Sequence, residues 1–417
     1  MTEWYGYLPE GWQISRLKYL VNQTADHAES NTGYIGLENI ESWSGKYQKK
    51  GDSSFEAEGV SLKVRKGDII FGKLRPYLAK CYLAEKDACC STEFIVMTPN
   101  KINPVFLKYL LLSPKFIDEI NMSTYGSKMP RANWDFIGNT FVPLPIFEEQ
   151  KIIADYVDNK VEEINNLIEE AKVSIEEYKA WKASIIYEAV TKGLDKDVEM
   201  KDSGVEWIGK IPVHWNRIKS GRIIASTQNG ITRRDLEKSE GQIVLKLKNI
   251  SADGNIDYSE PNRIELTENE INSYRLCNDD LLFVRVNGSR QLVGKCAVFH
   301  DVGEIVAYND HIIRTRLSKD YNVRFMQYYL LSPAGKREIE LHTSTSAGQF
   351  TISGEGLRDL CITYPPVQEQ CEIVQYLDMK CGDINCLITE KESLISDLEA
   401  YKKSLIFEVV TGKRKVV

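Results

Sequence analysis

The sequence has little histidine, no paired spacing among its cysteines and no long apolar run, and each shortage excludes a class of protein. Its five His stand far apart, so no metal-ligand spacing emerges and we expect no metal site. The nine Cys form no CxxC motif, which argues against a zinc ribbon or a disulfide framework and favours free thiols in a reducing compartment. No apolar stretch approaches the roughly 20 residues that span a bilayer, and the first residues lack a signal-peptide pattern. We therefore expect a cytoplasmic protein without a membrane partner.

The chain also lacks the excess of positive charge that marks many nucleic-acid binders. Its 417 residues carry 53 Lys+Arg against 60 Asp+Glu, a formal net charge of −7. The negative excess is local, because residues 1–145 and 205–365 carry +1 each and the remaining segments together carry −9. Affinity for phosphate depends on the charges that touch it. The net negative charge of the whole chain therefore does not exclude DNA binding by the two weakly positive regions.

Catalytic motifs are missing as well. Residues 204–211 nearly match a P-loop, but Ile211 follows Lys210 and has no hydroxyl for Mg²⁺. The sequence contains no G-x-G-x-x-G, H-E-x-x-H or G-x-S-x-G motif, and Tyr364-Pro-Pro-Val367 lacks the acid or amide and the aromatic of an amino-methyltransferase motif. We expect no catalytic residue, and no cofactor held by this chain.

What the chain does contain is an internal repeat. The motif Trp-x-Gly-x-Leu/Ile-Pro-x-x-Trp occurs at 4–12 and again at 207–215, and Leu-Leu-Ser-Pro occurs at 111–114 and 330–333. From Glu149-Gln150 and Glu369-Gln370 onward the two copies align at a constant offset of 220. The sequence is a tandem duplication in which the second part of each copy has kept its length.

That constant part predicts a long helix in each copy. Apolar residues alternate in steps of four and three, which is a heptad seam. The predicted helix-pairing residues are Val157, Val161, Ile164, Ile168 and Ile175 in the first copy and Leu377, Cys381, Ile384, Ile388, Ile395 and Leu398 in the second, where Lys391 interrupts the seam. Each rod would be about 65–70 Å long at roughly 1.5 Å per residue. Antiparallel pairing of the two rods is favoured over the alternative that each packs on its own domain.

The remaining parts of the copies predict mixed α and β structure. Strands are expected at 68–71, 94–97, 280–285 and 311–316, and helices at 104–120 and 322–340. The fold class is therefore α+β, with two mixed α/β domains in a pseudo-twofold tandem repeat, separated by two long antiparallel coiled-coil helices. The expected domains are 1–145, 205–365, the helices 146–194 and 366–417, and a linker at 195–204.

Polar and basic residues cluster with aromatics in the expected loops. Arg, Lys, Asn and Gln can read base edges, and Ser and Thr commonly hold phosphates. Each cluster alone is typical of a solvated loop, but two lie at equivalent places in both copies, at 73–77 with 285–291 and at 123–134 with 343–349. The candidate DNA-binding residues are Lys73, Arg75, Tyr77, Tyr125, Ser127, Lys128, Arg131, Asn133, Gln228, Asn229, Arg233, Arg234, Arg285, Asn287, Ser289, Arg290, Gln291, Thr343, Ser344 and Gln349.

Over its whole length the chain resembles the DNA specificity (S) subunit of type I restriction-modification systems. The resemblance rests on the two Trp-Gly-Pro openings, on Phe71-Gly-Lys-Leu-Arg-Pro-Tyr77, and on the helix starts Pro-Leu-Pro-x-x-Glu-Glu-Gln150 and Pro-Pro-x-x-Glu-Gln370. It also rests on the helix ends Ser184-Ile-Ile-x-Glu-Ala-Val-Thr191 and Ser404-Leu-Ile-x-Glu-Val-Val-Thr411.

The resemblance implies two target recognition domains, each reading half of an asymmetric bipartite target in double-stranded DNA. It implies helices that set the spacer and dock two methyltransferase (M) subunits for adenine N6 methylation, with restriction (R) subunits joining for cleavage. S-adenosylmethionine would belong to the M subunits, and ATP and Mg²⁺ to the R subunits. The competing hypothesis is a duplicated coiled-coil adaptor between proteins, without DNA contact.

Overall fold

The computed structural model describes residues 4–28, 33–49, 60–124, 126, 128–233, 240–318, 320–346 and 348–416. The chain divides into two compact units: the first comprises Met1–Val173 and Lys391–Val417, and the second comprises Ser174–Glu390. Each unit thus contains one α/β region and a part of both long helices. None of the helices in the described ranges combines the length and apolar character needed to cross a bilayer.

The α/β region of the first unit is built on strands that are antiparallel except for one parallel pair, Tyr34–Ile35 with Ala88–Ser91, with helices against one face of the largest sheet. Its strands are β1 (Gln13–Arg16), β2 (Val21–Thr24), β3 (Tyr34–Ile35), β4 (Ser61–Val64), β5 (Ile69–Gly72), β6 (Cys81–Leu83), β7 (Ala88–Ser91), β8 (Phe94–Pro99) and β9 (Phe141–Leu144). Its helices are α1 (Pro104–Leu111), α2 (Pro114–Met122) and α3 (Trp134–Asn139), followed by α4 (Phe147–Lys192). A four-stranded sheet has the order β2-β8-β5-β6, and β3-β7-β4 and β1-β9 form smaller sheets.

Alternation along β5 explains why this sheet has a core on each face. Ile69 and Phe71 belong to the cluster that includes α1 and α2, whereas Ile70 between them belongs to the cluster on the opposite face. Successive side chains of a strand point to opposite faces, and both faces here are apolar. The first cluster continues into α1, α2 and the long helices, and the second includes residues of the smaller sheet β3-β7-β4.

The second unit repeats this architecture with additional strands. Its strands are β10 (Met200–Asp202), β11 (Lys210–Pro212), β12 (Asn216–Lys219), β13 (Ile224–Asn229), β14 (Gln242–Leu245), β15 (Arg263–Ile264), β16 (Leu281–Val284), β17 (Val286–Asn287), β18 (Cys296–Val298), β19 (Val306–Tyr308), β20 (Ile312–Leu317), β21 (Ser344–Ser346), β22 (Gln349–Thr351) and β23 (Cys361–Tyr364). Its helices are α5 (Glu268–Tyr274), α6 (Val323–Leu331), α7 (Pro333–Leu341) and α8 (Gly354–Asp359), followed by α9 (Val367–Val410). The order β13-β20-β16-β18 matches β2-β8-β5-β6 of the first unit.

Two expectations about local structure are corrected. The segments 104–120 and 322–340 are each two helices, because Pro114 and Pro333 start a new helix and the preceding Ser113 and Ser332 have extended backbone. Within the expected linker 195–204, β10 pairs with β11 in the register Met200↔Pro212.

The long helices pack on each other and on their own α/β regions. In the first unit, Val157 and Val161 of α4 share a core with Ile406 and Val410 of α9. The direction is antiparallel, since Lys402 Nζ donates to Asn165 Oδ1 at 3.0 Å while Lys172, further along α4, lies near Glu399. In the second unit, Lys182 Nζ donates to Asn385 Oδ1 at 2.8 Å. The same Lys–Asn pair, displaced by 220 residues, therefore occurs in both units.

Of the predicted helix-pairing residues, most are fully buried. Val157, Val161, Ile164, Ile168, Ile175, Leu377, Cys381 and Ile384 are buried, and Ile388, Ile395 and Leu398 are half-buried. The less buried residues flank Lys391, where a charged side chain replaces an apolar one. The alternative arrangement, in which a long helix packs on its own α/β region, is also present. The Tyr109 hydroxyl donates to Asp158 Oδ1 at 2.6 Å and so ties α1 to α4.

A buried glutamine explains the Glu-Gln motif at the start of each helix. Gln150 Nε2 donates to the Pro145 carbonyl at 2.8 Å, and its Oε1 accepts from the Asn103 backbone N–H at 2.8 Å. Gln370 makes the same two bonds, to Pro365 at 2.9 Å and from Asn322 at 2.7 Å. One amide thus ties the start of each long helix to the N-terminus of a shorter helix, α1 in the first unit and α6 in the second.

Candidate nucleic-acid interface

In the first unit, two of the predicted polar loops meet at one end of the four-stranded sheet. Leu74 forms an isolated β-bridge with Arg131, the Ala132 N–H donates to the Lys73 carbonyl at 2.9 Å, and the Arg75 N–H donates to the Pro130 carbonyl at 2.8 Å. The loops lie far apart in sequence, so only the fold joins them. Lys73 is half-buried, and Arg75, Tyr77 and Lys128 are exposed.

Arg75 has an unusual backbone conformation within this turn. Its φ of 53° and ψ of 61° lie in the left-handed region, which costs a non-glycine residue about 1–2 kcal/mol. The turn is closed by Leu78 N–H donating to the Arg75 carbonyl at 2.9 Å. Strain of this kind concentrates at functional sites, which singles out the 73–77 turn.

Other candidates in the first unit have structural partners. Arg131 makes a bidentate contact with Glu93, with Nε–Oε2 at 3.2 Å and Nη2–Oε1 at 3.0 Å. Asn133 caps α3, because its Oδ1 accepts from the Phe136 N–H at 2.8 Å. These two residues hold the loop in shape. Tyr125 and Ser127 lie outside the described residues.

In the second unit, three of the predicted clusters come together. The sheet β17-β22-β21 pairs Asn287 with Phe350, which joins the 285–291 and 343–349 segments. The Arg285 N–H donates to the His311 carbonyl at 2.8 Å, at the start of β20. Gly230, just after Gln228 and Asn229, passes so close to the end of β19, just before β20, that a Cβ would lie 2.3 Å from the carbonyl oxygens of Tyr308 and Asn309. The 228–229 segment therefore also lies at this end of the sheet.

Several candidate side chains of the second unit are engaged within the protein. Arg285 Nη1 donates to the Asp310 carbonyl at 2.9 Å, and Arg290 Nη2 donates to the Glu340 carbonyl at 3.1 Å. Asn287 Oδ1 accepts from the Ser289 N–H at 3.0 Å. Ser344 Oγ lies 3.0 Å from the Thr351 hydroxyl. The exposed candidates here are Asn229, Arg233, Ser289, Arg290, Gln291, Ser344 and Gln349, and Gln228, Arg285, Asn287 and Thr343 are half-buried.

Arg233 is anchored at the edge of this region. Its Nη1 lies 3.1 Å from both carboxylate oxygens of Glu270. Hydrogen bonds from the backbone and hydroxyl of Thr267, followed by the contact with Arg233, hold the pKa of Glu270 below its usual range. Glu270 therefore stays ionised and keeps Arg233 in place. Arg234 lies outside the described residues.

Sequence analysis missed Arg314, which lies on β20 beside Gln228. Arg314 Nη2 donates to Gln228 Oε1, and its guanidinium lies over the Tyr308 ring at 5.8 Å. Burial, the largest influence, raises the pKa of Tyr308. The signal in the sequence was an Arg directly after two apolar residues of an expected strand, in His311-Ile-Ile-Arg-Thr-Arg316.

The long helices present a second kind of surface. In the first unit, the exposed apolar side chains Leu167, Leu394 and Tyr401 lie outside the buried seam, and in the second unit Leu387 and Trp181 do so. At the offset of 220, Leu167 corresponds to Leu387 and Trp181 to Tyr401. Each unit therefore exposes an equivalent leucine and an equivalent aromatic on its part of the helices.

The described residues contain no group of three or more His, Cys, Asp or Glu side chains that could hold a metal ion. Burial raises the pKa of the Cys81, Cys90 and Cys296 thiols to about 12. Neutral thiols of this kind are poor nucleophiles and poor metal ligands, so these three cysteines act as core residues.

Residues 9–177 match the family model described as Type I restriction modification DNA specificity domain. The chain is similar to the EcoKI specificity subunit of Escherichia coli K12, with 24% identity over 325 residues that cover 76% of this chain and 67% of that one. It is also similar to the MjaVIII specificity subunit of Methanocaldococcus jannaschii, with 24% identity over 98% of this chain and 94% of that one.

Two solved structures share the fold. A chain from a type I R-M system, solved to study complex assembly and conformational transition, aligns with a TM-score of 0.74 at 20% identity, covering 98% of this chain and 100% of that one. The HsdS subunit from Thermoanaerobacter tengcongensis aligns with a TM-score of 0.52 at 19% identity, covering 99% of this chain and 100% of that one.

Proposed function

Because the chain belongs to the family of type I restriction-modification DNA specificity subunits, we propose that its two recognition domains each read one half of an asymmetric bipartite DNA target. The observation that carries this proposal is the convergence of polar loops at the same end of the four-stranded sheet in both units, through Leu74–Arg131 in one and Asn287–Phe350 in the other. Loops on a rigid sheet can hold side chains at fixed positions along a groove.

The two loop sets differ in chemistry, which supports an asymmetric target. The first presents Lys73, Arg75 and Tyr77, whereas the second presents the amides of Gln228 and Asn229 beside further arginines. Lys and Arg favour guanine edges and phosphates, while Asn and Gln favour adenine when both amide atoms are free. Two domains with different side chains at the same end of the sheet would read different half-sites.

We assign the long helices two roles, setting the spacer and docking methyltransferase subunits. The equivalent exposed pairs, Leu167 with Tyr401 and Leu387 with Trp181, support two like docking sites and hence two M subunits. Exposed aromatics flanked by charge are typical of protein interfaces. S-adenosylmethionine would be bound by M, and ATP and Mg²⁺ by R subunits joining for cleavage. This chain supplies recognition.

The proposal is tested by co-expressing the chain with its M partner and sequencing the methylated DNA. We expect N6-methyladenine within an asymmetric bipartite motif. Replacing Arg75 by Ala should alter one half-site, and replacing Asn229 by Ala should alter the other, with the spacer unchanged. A palindromic motif, or unmethylated DNA from a stable complex, would contradict the proposal. Salt-independent association with proteins alone would favour the coiled-coil adaptor instead.

A further inference from the structure

Arg314 is a buried cation without an ionic partner in the described part of the chain. It is 7% exposed. Its Nη2 donates to Gln228 Oε1, its guanidinium lies over the Tyr308 ring, and its Nε has no acceptor among the described residues. A buried charge that lacks an opposite charge is costly, so this arrangement needs a reason beyond packing.

The fold itself does not require an arginine at this position. In the first unit, Val96 of β8 pairs with Thr24 and Ile70. In the same way, Arg314 of β20 pairs with Gln228 and Leu282. An apolar residue thus satisfies the equivalent position of the same four-stranded sheet.

The contact determines which way the Gln228 amide faces. A guanidinium has donors and no acceptor, so it can meet only the oxygen of an amide. Gln228 Oε1 is therefore held toward Arg314, and the Nε2 group, which donates to no acceptor among the described residues, is left free to donate. A free glutamine instead offers its oxygen and nitrogen together, the pattern that matches adenine.

We infer that Arg314 is a positioning residue that holds Gln228 as a donor, so that Gln228 reads guanine at one position of the half-site recognised by the second unit. Guanine carries two acceptors, N7 and O6, on its major-groove edge, whereas adenine carries one acceptor and one donor. This inference rests on the proposed function. It places the reading of guanine in the second unit, where Gln228 and Asn229 end β13 beside the loops 285–291 and 343–349.

The test compares the native chain with Arg314→Val and Arg314→Lys, each co-expressed with the M partner, by sequencing of methylated DNA and by duplex-binding competition. Val96 occupies the equivalent position in the first unit, so we expect Arg314→Val to keep the fold. In Arg314→Val the amide can turn over, and we expect adenine to be accepted as well as guanine at one position, with discrimination reduced about five- to tenfold. Arg314→Lys keeps a donor to Gln228 Oε1 and should retain the preference for guanine.

The other half-site and the spacer should be unchanged in both variants. A third variant, Gln228→Glu, has no amide donor and should lose the guanine preference without affecting assembly with M. An unchanged base preference in Arg314→Val, or an equal loss in Arg314→Lys, would overturn the inference. If Arg314→Val fails to fold, a guanine preference that persists in Gln228→Glu would overturn it equally. Absence of bipartite methylation by the native complex would instead refute the proposed function.

Discussion

The Lys402–Asn165 pair offers a direct test of what holds the long helices in register. Lys402 lies in the seam between α4 and α9, is 8% exposed and donates to Asn165 Oδ1 at 3.0 Å. Replacing Lys402 by Met keeps an unbranched side chain and removes both the charge and the donor. A polar pair at a core position of a coiled coil can fix register at a cost in stability.

The contacts give the expected magnitude. In Lys402→Met the oxygen of Asn165 loses its donor, while Asn165 Nδ2 already lacks a partner among the described residues. A buried polar atom left unsatisfied costs about 1–3 kcal/mol, which the removal of a desolvated ammonium offsets in part. We expect a net loss of about 1–2 kcal/mol, or roughly 2–8 °C in the unfolding midpoint of a unit of this size.

The double variant Lys402→Met/Asn165→Leu separates this cost from a general loss of packing. Replacing both buried polar partners by apolar residues is commonly neutral or stabilising, so the double variant should be at least as stable as the native chain. Thermal unfolding measures the midpoints, and amide hydrogen exchange near Asn165 locates the effect. Lys182→Met, at the half-buried equivalent, is the control and should cost less. The reasoning is wrong if Lys402→Met is not destabilised, or if the double variant is as unstable as the single one.

Other predictions concern pH, the helices and their ends. Burial lowers the pKa of Lys402 in the folded chain. Between this lowered pKa and the unfolded value of about 10.4, the unfolded chain binds more protons than the folded one. The native chain should therefore gain stability relative to Lys402→Met as the pH rises through this window, which denaturant unfolding measures. Inserting one heptad into each helix adds about 10 Å, so methylome sequencing should show a spacer longer by about three base pairs and unaltered half-sites. Leu387→Asp with Trp181→Asp should weaken co-purification with M and leave the free energy of unfolding within about 1 kcal/mol of the native value, as surface changes usually do. Glu369→Ala removes the acceptor of the Trp215 indole N–H at 2.9 Å and should cost about 1–3 kcal/mol in denaturant unfolding.

Sequence alone was sufficient for the parts of the protein that depend on local periodicity. The seam from Val157 to Leu398 predicted two helices, and α4 and α9 cover the expected segments. The strands around Phe71 and Phe283 were also predicted, because short apolar runs between turn signals favour buried strands. The breaks at Pro114 and Pro333 were missed, although a proline lacking its N–H was visible in the sequence.

The sequence predicted which loop segments form the candidate site. It did not predict which of their side chains are free to bind a ligand. The repeat indicated that the 73–77 and 123–134 loops correspond to 285–291 and 343–349, and the strands join them in each unit. Sequence could not show that Arg131 is occupied by Glu93 or Arg233 by Glu270, because these partners lie 38 and 37 residues away. The twenty candidate residues thus stay a prediction that the half-site experiments above would test.

Sequence by itself determined the duplication, the helix lengths and the separation of acidic helices from weakly positive α/β regions, because repeats, heptads and charge can all be read from the order of residues along the chain. Tertiary structure alone decided which polar groups are free to act. Strand register places Arg314 against Gln228, and helix pairing places Lys402 against Asn165. Both contacts join residues remote in sequence. Inside a protein, the partner of a polar group decides whether that group is used in a structural hydrogen bond or is free to contact another molecule.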